Sequence, residues 1–190
     1  MKVATVRFTS TSPLCFGRFH NTPKLDREQP EAYEERTWRE RLHYNEQDGK
    51  VFIPSNAIRK CVQGAAKFLG MPVKGKGKST YTKHFETGIM VLDPIVLPVR
   101  KDEVGRLTLP VPSDGKPGGT TRVIRHFPIV YQWEGTTDIL IMDEIITREV
   151  LEEHLYAAGQ FIGLLTFRPR QREDKGRFGA ELIGWSNFAK

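Results

Sequence analysis

Asp48–Gly70 reads DGKVFIPSNAIRKCVQGAAKFLG, and the fold turns on how this stretch is read. Gly49 to Pro54 makes a short extended piece. Ser55 then stands where a helix N-cap belongs, ahead of Ile58, Val62, Ala65 and Leu69 at i, i+4, i+7 and i+11. That spacing puts the four apolar side chains on one face of a helix. Gly70 and Pro72 stop it, so a helix is expected between the Ser55 cap and Gly70. Arg59, Lys60, Gln63 and Lys67 occupy the other face, as a solvated surface or as the edge of a binding surface.

Upstream, Val3, Thr5, Arg7 and Thr9 alternate with Ala4, Val6 and Phe8, the period of a strand with one buried face. From Ser10 to Asp48 this pattern dissolves into Pro13, Gly17, Pro23 and Pro30, then a dense run of mixed charge. Residues 10–48 are therefore expected to be an insertion or long loop with one short helix, and the Tyr33–Arg41 run a solvated helix face.

Downstream, Lys67 to His84 holds five lysines, three glycines and no acidic residue, a basic loop. Ile89–Leu97 reads as one strand, with Pro94 marking an edge or bulge. Residues 101–121 are expected to form a projecting hairpin or flexible loop, tipped by Ser113-Asp114-Gly115 and Gly118-Gly119. Arg122–Trp133, a turn at Glu134-Gly135 and Thr136–Met142 predict a hairpin, with Val123, Phe127, Ile129, Tyr131 and Trp133 on one face. A second helix starts at a Thr147 cap, carries Glu149, Glu152 and Glu153 in its first turns, and faces Leu151, Leu155 and Ala158 inward until Gly159 or Gly163. Phe161–Phe167 and Ala180–Trp185 predict a closing hairpin. The order is strand, helix, strand, strand pair, helix, strand. It predicts an α+β fold over residues 1–190 as a single domain: a ferredoxin-like (RRM-like) split βαβ with an antiparallel sheet, two main helices on one face and long loop insertions.

The chain has 190 residues, with 29 Lys+Arg against 23 Asp+Glu and a formal charge of +6. Length and composition suit a domain that buries roughly 70% of its unfolded surface and needs no disulfide or metal staple. No apolar run approaches the ~20 residues of a membrane span. Lys2 and Arg7 bracket an alternating stretch in place of a secretory signal, so a cytoplasmic protein is expected. Cys15 and Cys61 match no metal or redox spacing and read as reduced thiols, with Cys61 in the core.

Gly77-Lys78-Ser79-Thr80 imitates the end of a phosphate-binding loop, but the glycine required five places earlier falls at Pro72. None of His20, His43, His84, His126 and His154 pairs at helical spacing with another, so no metal and no cofactor are expected. His20 and His43, in the insertion, are candidates for a general base that deprotonates a ribose 2′-hydroxyl, and Asp26 and Asp48 are acid or metal candidates that read more readily as solvated side chains. The broader signal is cationic. Lys74, Lys76, Lys78, Arg122, Arg125, Arg168, Arg170, Arg172, Lys175 and Arg177 all fall at element ends, interspersed with Phe16, Phe19, Tyr81, Phe167 and Phe178. Gathered on one rim, they suit a phosphate backbone with its bases stacked on rings. Scattered, they are solubilising loops.

Two segments together resemble the repeat-associated (RAMP) superfamily of CRISPR effector proteins, particularly its backbone-subunit branch. Asp48–Arg59 is similar to the family's strand ending in Ile-Pro, with small polar residues at the helix start and a basic residue on the first turn, here Arg59. Gly163-Leu164-Leu165 through Gly176-Arg177-Phe178-Gly179 is similar to its glycine-rich segment after the second helix. Ser55 and Gln63 stand where family members usually carry a glycine and a second basic residue. The resemblance implies a non-enzymatic protein of an antiviral ribonucleoprotein, which holds single-stranded guide RNA by its phosphates through Arg59, Lys74, Lys76, Lys78, Arg122, Arg125, Arg168, Arg170, Arg172 and Arg177. Its partners would be copies of itself or other effector subunits. The superfamily's processing branch implies an alternative, a metal-independent endoribonuclease. A third reading is a mobile-element subunit mimic that docks into or inhibits another complex.

Overall fold

A computed structural model describes residues 1–113 and 120–188 and shows an α+β protein with antiparallel sheets. The opening alternation forms β1 (Lys2–Ser10), with Ala4, Val6 and Phe8 fully buried. β1 lies inside a four-stranded sheet between β8 (Glu134–Ile141) and β9 (Phe178–Asn187), and β4 (Ile89–Val91) pairs with the far side of β8. Every pairing in this sheet is antiparallel. One face is covered by α2 (Ser55–Leu69), which packs on β4, and by α4 (Arg148–Ala157), which packs on β9 and on α2. Ile58, Cys61, Val62, Ala65 and Ala66 of α2 are all buried against this layer, as the apolar spacing requires. Each fully buried aliphatic side chain contributes about 1.5–3 kcal/mol.

Two smaller sheets complete the chain. β2 (Leu14–Cys15), β7 (Arg122–Val130) and β6 (Gly105–Pro112) form one, in the order β2-β7-β6. β3 (Lys50–Ile53) and β5 (Ile95–Arg100) form the other. Residues 10–48 hold β2, the short helix α1 (Pro30–Thr37) and a 3-10 turn at Trp38–Arg41. Residues 101–121 hold β6. The expected tip at Asp114-Gly115 and Gly118-Gly119 lies outside the described residues. α3 (Tyr81–Thr87) follows the basic loop. Among the described residues no helix is long and apolar enough to cross a membrane.

Several expectations are corrected. β7 and β8 do not form a hairpin: β7 pairs with β6 from Arg122 to Ile129, and β8 leaves to join β1 and β4. Trp133 sits at the divergence, buried, exchanging backbone and side-chain hydrogen bonds with Ser10. Tyr131 accordingly breaks the expected apolar face and is exposed. Ile89–Leu97 is two strands in two sheets, parted at Leu92–Pro94. Phe161–Phe167 is no strand. A π-helical turn at Ala158–Ile162 extends α4, and the segment beyond it takes left-handed backbone at Leu165 and Phe167. Ser55 lies in the first turn of α2, with Pro54 at the cap. Thr147 does cap α4, its hydroxyl accepting from the Val150 amide at 3.4 Å.

Candidate nucleic-acid interface

The residues expected to touch nucleic acid sit in four neighbourhoods on different elements. Arg59 is on the first turns of α2, its guanidinium donating to Asn56 Oδ1 at 3.2 Å, beside Met90 and Val91 of β4. Lys74, Lys76 and Lys78 are exposed in the loop between α2 and α3. That loop is closed by the Val73 amide donating to Ser79 O at 2.7 Å and by a Pro72–Thr80 bridge. Arg122 and Arg125 are on β7. Arg168, Arg170, Arg172 and Arg177 follow the π turn, and Arg177 donates to the Gln160 carbonyl on that turn.

Of these ten cations, only Arg125 and Arg177 have a carboxylate partner among the described residues. Arg125 lies 3.0 Å from Glu34, and Arg177 lies 4.0 Å from Asp174. Glu34 is the most consequential acid in the molecule. It is buried on α1 and accepts two hydrogen bonds from Arg41 (2.8 and 3.0 Å), one from Arg125 and one from the His126 amide (2.7 Å). Burial alone would raise its pKa, but these donors outweigh it and the carboxyl sits below its ordinary value. The charge run from Tyr33 to Arg41 is thus not a solvated face throughout. Glu34, Thr37 and Trp38 point inward and fasten the insertion to the hairpin.

Arg168 and Arg170 lie along α2. Gly64 makes room for Arg170: a Cβ there would stand 3.1 Å from the Arg170 guanidinium and 3.1 Å from Ile162. Arg59, Lys60 and Lys67 are the only charged side chains of α2, so this helix presents cations alone. Lys67 is paired with Glu86 at 2.8 Å.

The aromatic side chains expected beside these cations are mostly structural. Phe16, Phe178 and Tyr81 are buried, and Phe167 packs edge-on against Phe127 at 4.8 Å. Only Phe19, 83% exposed, stays accessible. Sequence reasoning missed the exposed pair Phe68 and Phe161, whose rings stack at 5.0 Å across α2 and the π turn.

His20 bonds Thr22 through Nδ1 at 3.1 Å and stacks on Tyr33. Burial, and then Arg41, lower its pKa. His43 lies against Phe52 and is likewise lowered by burial and by Arg18. Both shifts favour the neutral ring, and among the described residues neither ring hydrogen-bonds a carboxylate. Asp26 is exposed in a turn, and Asp48 caps another by accepting from the Lys50 amide at 2.9 Å. A third histidine, passed over as sequence, is oriented: His84 Nδ1 lies 2.6 Å from Asp143 Oδ2. Among the described residues no group of three or more His, Cys, Asp or Glu is placed to hold a metal ion. No protein-family model matches the chain, and no curated protein matches it.

Proposed function

We propose that this chain is an RNA-binding subunit of the RAMP type, built on a ferredoxin-like split βαβ core, that holds single-stranded RNA chiefly by its phosphates. The core reading is supported by the strand order β4-β8-β1-β9, with α2 joining the first strand of that sheet to the second and α4 the third to the fourth. It is supported also by the junction of β3, Ile53-Pro54 and α2, where the resembling motif lies at a strand-to-helix transition. The hairpin of β6 and β7 is inserted between the second and third strands of the main sheet. It has the right position for an element that reaches along a bound strand.

The observation that carries the RNA reading is the uncompensated charge. Eight of the ten cations have no carboxylate partner among the described residues, and α2 carries no acid at all. Exposed cations without a carboxylate partner favour a polyanion, because each neutralised phosphate releases counterion. Copies of the chain, or other effector subunits, would share the RNA and give an assembly with the strand running through it.

A native mass measurement of the purified protein, before and after ribonuclease treatment, tests this. The reading expects an RNA-containing mass that collapses to protein on digestion. A nuclease-resistant complex with protein partners, and no retention of naked RNA, would replace it with the subunit-mimic reading.

A further inference from the structure

On the helical side of the main sheet two exposed phenyl rings face one another. Phe68, on the last turns of α2, is 58% exposed, and Phe161, on the π turn, is 47% exposed. Their rings stack with planes 27° apart. Two facing phenyl rings left in water lose the burial that would ordinarily stabilise them. The π turn explains how they meet. The Gly163 amide bonds back five residues to Ala158 O at 2.9 Å, which adds a residue to the turn, buries Ile162 and leaves Phe161 outward. Such turns recur at functional sites. Gly163 ends the turn at φ 71°, a conformation that suits glycine.

Charge decides what fits this pair. Phe68 stands one turn beyond Gly64, and Lys60 one turn before it, on the same stripe of α2. Arg170 fills the Gly64 gap between them, next to Ile162. An aromatic step continuous with a guanidinium and an ammonium matches a nucleotide, whose base offers a π face and whose phosphate offers the charge. A protein partner built on apolar burial would meet unpaired cations at its centre, which is costly.

We infer that Phe68 and Phe161 form a stacking platform for an unpaired base of single-stranded RNA, with the adjoining phosphate held by Arg170 and Lys60. The inference rests on the RNA-binding reading above and specifies where on the molecule a base is gripped. It assigns the contact to the helix side of the main sheet.

The test uses the full chain and an oligouridine RNA carrying 5-iodouridine for photocrosslinking, together with equilibrium binding of the same RNA and of an abasic ribose-phosphate oligomer of equal charge. Crosslinks are expected at Phe68 or Phe161. Phe68→Ala/Phe161→Ala should weaken oligouridine at least about five-fold, at the low end of stacking losses per base, with little change for the abasic oligomer. Phe68→Leu/Phe161→Leu, which keeps the apolar volume, should show the same loss, so a folding defect is distinguished from lost stacking. Unchanged RNA affinity in both double variants, with crosslinks elsewhere, would overturn the platform and leave RNA binding standing. Loss of self-association without loss of RNA affinity would overturn it in favour of a contact between copies. Absence of RNA binding by the wild type would overturn the platform together with the reading it rests on.

Discussion

Replacing Glu34 with alanine should be among the most destabilising single changes on the surface layer of this protein. The carboxylate is 5% exposed and accepts four hydrogen bonds. Truncation leaves Arg41, whose side chain is 12% exposed, with only its bond to His126 O at 3.0 Å and its position over the Phe127 ring. It also removes the partner of the His126 amide. Stripping one member of a buried ion pair costs about 3–5 kcal/mol. Arg125 is 39% exposed and reaches water, so its share is that of a surface pair, about 1 kcal/mol at most. Allowing water into the vacated site, we expect a loss of about 3–4 kcal/mol at pH 7 for Glu34→Ala and about 2 kcal/mol for Glu34→Gln.

At about 2–4 °C per kcal/mol for a chain of this size, the alanine variant should melt about 6–16 °C lower. Urea unfolding should show a lower midpoint with unchanged slope. Because the folded pKa of Glu34 is lowered, its contribution is present above the ordinary value of 4.5 and is lost as pH falls through the folded value. The gap between wild type and variant must therefore shrink in acid. A loss below about 1 kcal/mol at pH 7, or a gap that does not narrow below pH 4, would mean that the Glu34 carboxylate does not fasten the insertion to the hairpin.

Three further outcomes follow from buried groups. His154 is fully buried, and since Val150 O can only accept, its Nδ1 donates there at 2.6 Å and leaves an orphaned Nε2 against Phe85. Burial lowers its pKa, so the unfolded chain takes up a proton below about 6.5 that the folded chain refuses; stability should fall from pH 6.5 downward, and urea titration of His154→Phe should show that slope reduced. Burial pushes both the Cys15 and Cys61 thiols up to about 12, so a thiol-specific chromogenic disulfide should register no reactive group in native protein and two after denaturation. Burial acts to raise the Asp143 pKa, but the His84 bond and the Ile145 amide outweigh it, so its contribution is present above the ordinary 3.8 and is lost as pH falls through the lower folded value; Asp143→Asn should cost about 1 kcal/mol at neutral pH and progressively less as the pH falls below 3.8, measured by thermal unfolding.

What the sequence made legible was local. β1 and α2 were readable because each buries one face, and a buried face writes its period into the chain. The Thr147 cap was readable because capping is a bond between near neighbours. Partners were not. Alternation in Arg122–Trp133 and Thr136–Met142 reports which side chains face inward but not which strand lies alongside, so two strands of different sheets resembled one hairpin. The run Phe161–Phe167 was too short to separate a strand from a helix end.

The site followed the same division. The cations at element ends were legible as types, but their compensation was not, since Glu34 meets Arg125 across 91 positions and His84 meets Asp143 across 59. Phe16, Tyr81 and Phe178 looked available beside the basic loops and proved to be core. Phe68 and Phe161 were hidden because the extra residue of a π turn leaves no signature in apolar spacing.

An RNA grip through uncompensated cations, as proposed above, makes binding salt-dependent. Binding of a single-stranded oligouridine should be measured from low to moderate salt, for wild type and for Arg168→Ala/Arg170→Ala/Arg172→Ala. With a slope near −0.7 per phosphate contact, wild type making about four to six contacts should give a log–log slope of about −3 to −4, and the triple variant a slope shallower by about 2. A flat dependence, or identical slopes for the two proteins, would contradict the account.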